Sequence, residues 1–239
     1  METGMAAART ALTYLAIVSF TLVAGPIGLL IAIPFRVKGL LYDLGHIGVW
    51  MTLRTSGIRV TVEGREHLRP STAVVFCANH QSNVDPPVLF SALHCRLHVL
   101  YKAELNRLPI LGTVFQVGGY IPVPREQKEA ALRAIDLASA SIRQGNSFLV
   151  FPEGTRSRTD DLLPFKKGGF VMAIQAQAPV VPVAISGGRA AMRKGSALIY
   201  PAHVRVCIGE PVPTAGLTLD DRDALIAQVR ERIAAMLRQ

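Results

Sequence analysis

A histidine and an aspartate five positions apart, His80 and Asp85, lie in the stretch Asn79-His80-Gln81-Ser82-Asn83-Val84-Asp85. The apolar run before it, Thr72 to Ala78, predicts a buried strand, and Pro86-Pro87 after it suit the first turn of a helix. Open α/β sheets place their chemistry at the carboxyl ends of strands. There Asp85 can accept the His80 Nδ1–H, fix the tautomer and turn Nε2 outward as a base. Such a pair needs no metal. The same letters also fit a helix N-cap at Asn83 or Asp85 preceded by a surface histidine.

A second block, Phe151-Pro152-Glu153-Gly154-Thr155-Arg156-Ser157, follows another apolar run. Gly154 allows a ligand to approach the backbone, Thr155 and Ser157 offer hydroxyls, and Arg156 brings a planar fork of donors suited to phosphate. Arg158 and Lys166-Lys167 add charge. A solvated loop with a basic face is the competing reading of the same residues.

The elements that must position these residues begin after Gly57. Ile58 to Glu63 alternates with period two and predicts a half-exposed strand. Further strands are expected at Leu97–Tyr101, Tyr120–Val123, Ser147–Phe151, Val180–Ile185 and His203–Ile208. Helices are expected at Pro87–Leu93, Leu108–Val117, Gln127–Arg143, Gly168–Ala178 and about Leu219–Leu237. Ala130, Ala134, Ile135, Leu137, Ala138 and Ile142 make the apolar face of the third, which Gly145 closes. Leu225, Val229, Ile233 and Leu237 make that of the last, whose acidic start and basic end match the helix dipole. With no repeat or linker, residues 58–239 form one domain.

Residues Thr10 to Phe35, twenty-six in a row, carry no charge, more than the roughly 20 that a helix needs to cross a bilayer. Gly25-Pro26 divide the run into a long and a short arm. A kinked transmembrane helix, a re-entrant hairpin and an uncleaved signal-like anchor all fit, with a cleaved signal peptide as the rival. The excess of basic residues after the run places the body on the cytoplasmic side. Leu40 to Thr55 reads as a second helix, with Trp50 and Tyr42 suited to an interface, or equally as a helix packed on the core.

The whole chain is half hydrophobic and carries a formal net charge of +9. That combination points to an anionic membrane surface or anionic substrates such as phosphates or coenzyme A. Nucleic acid is disfavoured, since no aromatic RNP strand, zinc spacing or helix-turn-helix pattern is visible. Cys77, Cys95 and Cys207 are far apart in apolar segments and read as buried, reduced thiols.

Asn-His-x-x-x-x-Asp followed about 70 residues later by Phe-Pro-Glu-Gly-Thr-Arg-Ser resembles the glycerolipid acyltransferase family, most closely its bacterial 1-acylglycerol-3-phosphate (lysophosphatidate) acyltransferases. Between the blocks, Lys102-Ala103-Glu104-Leu105 with Pro109 and Gly112, and then Gly119 to Arg125, match in the family's order; Val181-Pro182-Val183 matches after the second block. The resemblance implies an α/β domain with a mixed, mostly parallel sheet flanked by helices, preceded by an N-terminal two-helix membrane-binding element over residues 1–57. It also implies roles: His80 as general base and Asp85 orienting it; Glu153, Gly154, Thr155 and Arg156 as the acceptor-binding turn; Arg125 and Lys102 as charge toward the phosphate. Pro124 stands where the family usually has Asp or Asn, and Pro122 where it has a bulky apolar residue. Both stiffen the segment that carries Arg125.

The expected reaction is direct transfer of an acyl group from a thioester to the sn-2 hydroxyl of lysophosphatidate, giving phosphatidate. Acyl-coenzyme A and acyl carrier protein are both open as donor, and no cofactor or metal is expected. The expected setting is the inner membrane, with the catalytic domain on its cytoplasmic face and anionic lipids around it. Ser82 and Ser157 are the candidates for a rival covalent mechanism, though neither lies in a G-x-S-x-G elbow. Another lysolipid as acceptor, or a lipid-binding protein without turnover, are the alternatives; the latter has no need of an oriented imidazole.

Overall fold

The structure is a computed structural model describing residues 2–68, 72–93, 96–124 and 127–239. Arg125, expected near the acceptor phosphate, and Cys95 lie outside the described residues. Seven strands form one sheet: β1 Ile58–Glu63, β2 Val75–Ala78, β3 Leu97–Lys102, β4 Ile121–Val123, β5 Ser147–Val150, β6 Val180–Ser186 and β7 Ala202–Ile208. Their order is β1-β7-β6-β2-β5-β3-β4, and every pairing is parallel except β6 with β7.

Because β2 and β5 are covered on both faces, their residues, apart from Ser147 at the start of β5, are apolar rather than alternating. Phe76, Ala78 and Leu149 enter one core, with α2 (Gly39–Ser56) and α3 (Asp85–Leu93). Val75, Cys77, Phe148 and Val150 enter the other, with α5 (Lys128–Arg143), α6 (Gly168–Ala176) and α8 (Arg222–Leu237). On α5, Ala134, Ala138 and Ile142 are buried as expected, but Leu137 is 62 % exposed and stands outside the apolar face. Leu225, Val229 and Ile233 of α8 are buried. The prolines Pro122 and Pro124 fall on or just after β4, which stands at the edge of the sheet beside β3, the place in a sheet where proline is tolerated.

The N-terminal run forms one helix, α1, Glu2–Phe35, followed by α2. Gly25-Pro26 do not divide it, contrary to the sequence expectation; the helix continues through Pro26 and Pro34. Its length and mean hydropathy of 2.3 suffice to cross a bilayer. Yet Ala6, Thr10 and Thr13 near its start and Ala32 near its end are buried, and the Ile199 N–H donates to Thr10 Oγ1 at 2.8 Å. Gly25 comes so close to Ile110 of α4 (Pro109–Val117) that a side chain there would collide, and Gly28 approaches Leu41 and Leu44 of α2 equally closely. The helix therefore lies along the α/β body and does not stand clear of it. Trp50 is exposed, but Tyr42 is buried and donates its hydroxyl to Leu97 O at 2.9 Å, so it is part of the core.

Past the end of β2, Asn79 continues the pairing with side-chain atoms: its amide donates to Ile185 O at 2.9 Å and accepts from Ile185 N at 2.8 Å. Asn79→Ala would leave a buried N–H and C=O unpaired, at about 1–3 kcal/mol each. The expected outcome is a lower urea midpoint with an unchanged slope; an unchanged midpoint would show that water replaces the amide.

Candidate active site

The register Val75↔Phe148, Phe76↔Leu149 and Cys77↔Val150, carried past both strands, brings His80 beside Glu153. The His80 N–H donates to Glu153 Oε1 at 2.8 Å, and the Ser157 N–H donates to His80 O at 2.7 Å. The two blocks, more than 70 residues apart in sequence, thus touch because their strands are parallel neighbours. Asp85, in the first turn of α3, points its carboxylate back over the loop.

Asp85 is fully buried, and its Oδ2 takes three contacts: His80 Nδ1 at 2.8 Å, Gln81 N at 2.7 Å and Ser82 N at 2.7 Å. Two backbone N–H groups and the amino end of α3 converge on this carboxylate. A carboxylate only accepts, so the imidazole presents Nδ1–H to it and leaves Nε2 as the free nitrogen. The ring is stacked on Phe151, centroids 4.2 Å apart, which fixes its plane. Its side chain keeps 17 % exposure, enough to meet a substrate. Oδ1 of Asp85 lacks a hydrogen-bond partner among the described residues and lies against Gly188, where any side chain would collide with it.

Glu153 is buried, and its two oxygens accept from His80 N and from Leu163 N at 3.0 Å. Burial pushes its pKa up, and the two N–H groups oppose that shift. Its carboxylate thus braces the two blocks. Gly154 has a φ of +67°, and Lys166 covers it so closely that a Cβ would meet the lysine Cε at 2.7 Å. The Gly154 N–H donates to Phe151 O at 3.0 Å, so it is committed within the turn.

Thr155 is exposed and receives the Lys194 ammonium at 3.1 Å. Arg156 is half-buried, and among the described residues no carboxylate lies within ion-pair reach of it; a pairing with Glu153 is absent. Lys102 is half-exposed and pairs with Glu104 at 3.2 Å. His80, Lys102, Gly154, Thr155, Arg156 and Lys166 all border one cavity of about 1000 Å³. Its far walls are apolar: Phe20 and Ala24 of α1, Leu41 and Leu44 of α2, and Phe90, Val114 and Phe115 from the body.

The two serines do not offer a nucleophile. Ser82 is fully buried and donates to Met192 O at 2.7 Å; Ser157 is 2 % exposed and donates to Asp161 O at 3.0 Å. Cys77 is buried inside β2, and burial pushes its thiol far above the ordinary range. Cys207 is a free thiol as well, half-buried on β7.

Sequence reasoning missed three contributors: the bracing by Glu153, the stacking by Phe151, and Lys194, which approaches from after the short helix α7 (Gly188–Ala191). The resemblance implied Glu153 as part of the acceptor-binding turn and gave no sign of the brace, and Lys194 left no periodic signal.

Residues 59–186 match the model of the acyltransferase family. Human 1-acyl-sn-glycerol-3-phosphate acyltransferase alpha is 35 % identical over 77 % of this chain and 65 % of its own length. The chain thus matches just under two thirds of the length of that relative. An enzyme of Limnanthes douglasii, named 1-acyl-sn-glycerol-3-phosphate acyltransferase, is 31 % identical over 90 % of this chain and 77 % of its own. The crystal structure of the 1-acyl-sn-glycerophosphate acyltransferase of Thermotoga maritima superposes with a TM-score of 0.88, covering 100 % of this chain and 97 % of that one at 24 % identity. That likeness extends to the α1–α2 pair and the seven-stranded sheet, and with the family match it leaves one assignment: this chain belongs to the acyltransferase family.

Proposed function

We propose that the protein transfers an acyl group from a thioester to the sn-2 hydroxyl of lysophosphatidate at a membrane surface, making phosphatidate. The observation that carries this reading is a buried-acid-oriented imidazole opening into one cavity with cations near His80 and apolar walls at α1 and α2. The relatives' names agree with it.

His80 Nε2 takes the proton of the acceptor hydroxyl as its oxygen attacks the thioester carbonyl. Asp85 stabilises the imidazolium that forms. The tetrahedral intermediate collapses, expels the thiolate and leaves the ester; the imidazolium returns its proton to the sulfur. Arg156 and Lys102 meet the acceptor phosphate, Thr155 lines its approach, and Glu153 acts as a positioning residue through His80. Arg125 belongs with them by its place at the end of the matching stretch Gly119 to Arg125.

Residues 1–57 seat this catalytic body, residues 58–239, in the cytoplasmic leaflet. The outward face of α1 supports that seating: Leu15, Leu22 and Leu30 are exposed, the last by 75 %, beside Trp50 of α2. Each Å² of such surface that leaves water on insertion contributes about 25 cal/mol. Helix α1 is held along the body at Thr10 and Gly25, which favours a pair lying in one leaflet over a span.

The test is transfer of labelled acyl groups to a panel of lysolipids by detergent-solubilised protein. His80→Ala should lower turnover about 10²–10⁴-fold; a mutant retaining a tenth of the activity would sink the assignment. Arg156→Ala should raise the KM for lysophosphatidate more than that for the thioester, and equal rises would count against a phosphate contact. Leu22→Glu with Leu30→Glu should release the protein from vesicles in a flotation assay while leaving its melting temperature unmoved. Full retention on vesicles would rule out α1 as the seat.

A further inference from the structure

A second concavity, about 490 Å³, is lined by Arg158, Arg189, Arg193 and Lys194 and by no acidic residue. Among the described residues, only Arg189 of these four has an ion-pair partner, Asp160 at 2.8 Å. Three unneutralised cations in a hollow are a costly arrangement unless an anion resides there, since each repels the next.

Both walls of the hollow are tied to the catalytic loop. Arg158 follows Ser157, whose N–H is bonded to His80 O. Arg193 follows Met192, whose carbonyl accepts from Ser82 Oγ. Lys194 bridges the walls, donating to Thr155 Oγ1 at 3.1 Å and Arg156 O at 2.8 Å. Arg189 donates to Arg158 O at 2.7 Å. Lys194, which lines the hollow, is thus bonded to the Thr155–Arg156 turn, which lines the large cavity and forms the partition between the two; Arg158 and Arg193 are exposed to solvent on the outer side.

We infer that this hollow binds the 3′-phospho-ADP end of a coenzyme A thioester, so that the donor's nucleotide stays on the solvent side of the partition while its acyl end reaches His80. This rests on the acyl-transfer reading above. That nucleotide end has a phosphomonoester and a pyrophosphate, about four negative charges near neutral pH. Arginine forks meet such oxygens in pairs. The acceptor's single phosphate has its own cations, Lys102 and Arg156, inside the large cavity. A carrier protein would need a broad face, whereas these four residues line a pocket.

The direct test is calorimetric titration of the full chain with adenosine 3′,5′-bisphosphate, a probe with neither thioester nor lipid. Arg158→Gln/Arg193→Gln should weaken binding at least tenfold. Asp160→Asn, which frees the Arg189 fork, should tighten binding severalfold, a change that misfolding does not mimic. In turnover, the double variant should raise the KM for acyl-coenzyme A about tenfold or more and move that for the S-acyl-N-acetylcysteamine thioester less than twofold. Equal nucleotide affinity in wild type and double variant overturns the inference. So does a KM rise confined to lysophosphatidate, which would make the hollow a second acceptor-phosphate site. So does loss of binding to phosphatidylglycerol vesicles with nucleotide affinity unchanged, which would make it a headgroup site. Nucleotide binding is read without turnover, so a failure of wild type to use either thioester would count against the reaction and leave the binding comparison to decide the hollow.

Discussion

Parallel pairing of β2 with β5 is the constraint on which the rest of the site depends. Parallel neighbours end at the same edge of the sheet, so the loops that leave them start side by side. His80 and Glu153 are then brought together by register, and their contact turns two separate loops into one unit. The arrangement requires a carboxylate, Glu153, to sit buried with only backbone donors around its oxygens, and a second, Asp85, to sit fully buried above it. Burying a charge without partners is prohibitive. Each acid is tolerated because the loop turns its own N–H groups inward: four of them, at His80, Gln81, Ser82 and Leu163, serve these two side chains. The same bonds that make the acids affordable also hold the imidazole in place.

The α1–α2 pair answers a different requirement. A cavity that holds both a charged headgroup and an aliphatic chain must pass from polar to apolar walls without an intervening water layer. The α/β body supplies the polar end from strand termini. The apolar end needs surface that would not survive exposure on a soluble domain, and α1 and α2 provide it by covering Phe90 and Phe115 with Phe20, Leu41 and Leu44. Glycines at the crossing allow that closeness: Gly28 against α2 and Gly48 against Phe20. The outer face of α1, the face that the proposed membrane seating would give to lipid, is as apolar as the inner one.

The strands and helices were largely legible because their signals are local. Strand β1 was read to the residue, and Gly57 and Gly145 end their helices with φ of +70° and +95° as a C-cap requires. Gly25-Pro26 misled because a proline break is a propensity for an isolated chain. A proline removes one donor, and a helix held from both sides by α2 and α4 tolerates the loss. Leu137 misled because a helical period gives an apolar stripe without saying how wide the neighbours are that cover it. Within the site, the His80–Asp85 pair was readable since both partners lie in one loop. Glu153, Lys194 and Gly188 act on residues about 40 to 100 positions away, and no single-sequence pattern encodes that distance.

Charge distribution around the partition suggests how two amphipathic substrates avoid competing for one entrance. An acyl thioester of coenzyme A is soluble at its nucleotide and apolar at its tail; a lysophospholipid is already in the membrane. If both approached through the apolar end, the donor's nucleotide would have to pass the α1–α2 walls stripped of water, which its phosphates forbid. Cations on both faces of the Thr155–Arg156 turn remove the conflict. Lys102 and Arg156 face the cavity that α1 and α2 close, while Arg158 and Arg193 face solvent. On the proposed reading each anionic group stays in a medium that can solvate it, and only the thioester and the hydroxyl need to meet, at His80.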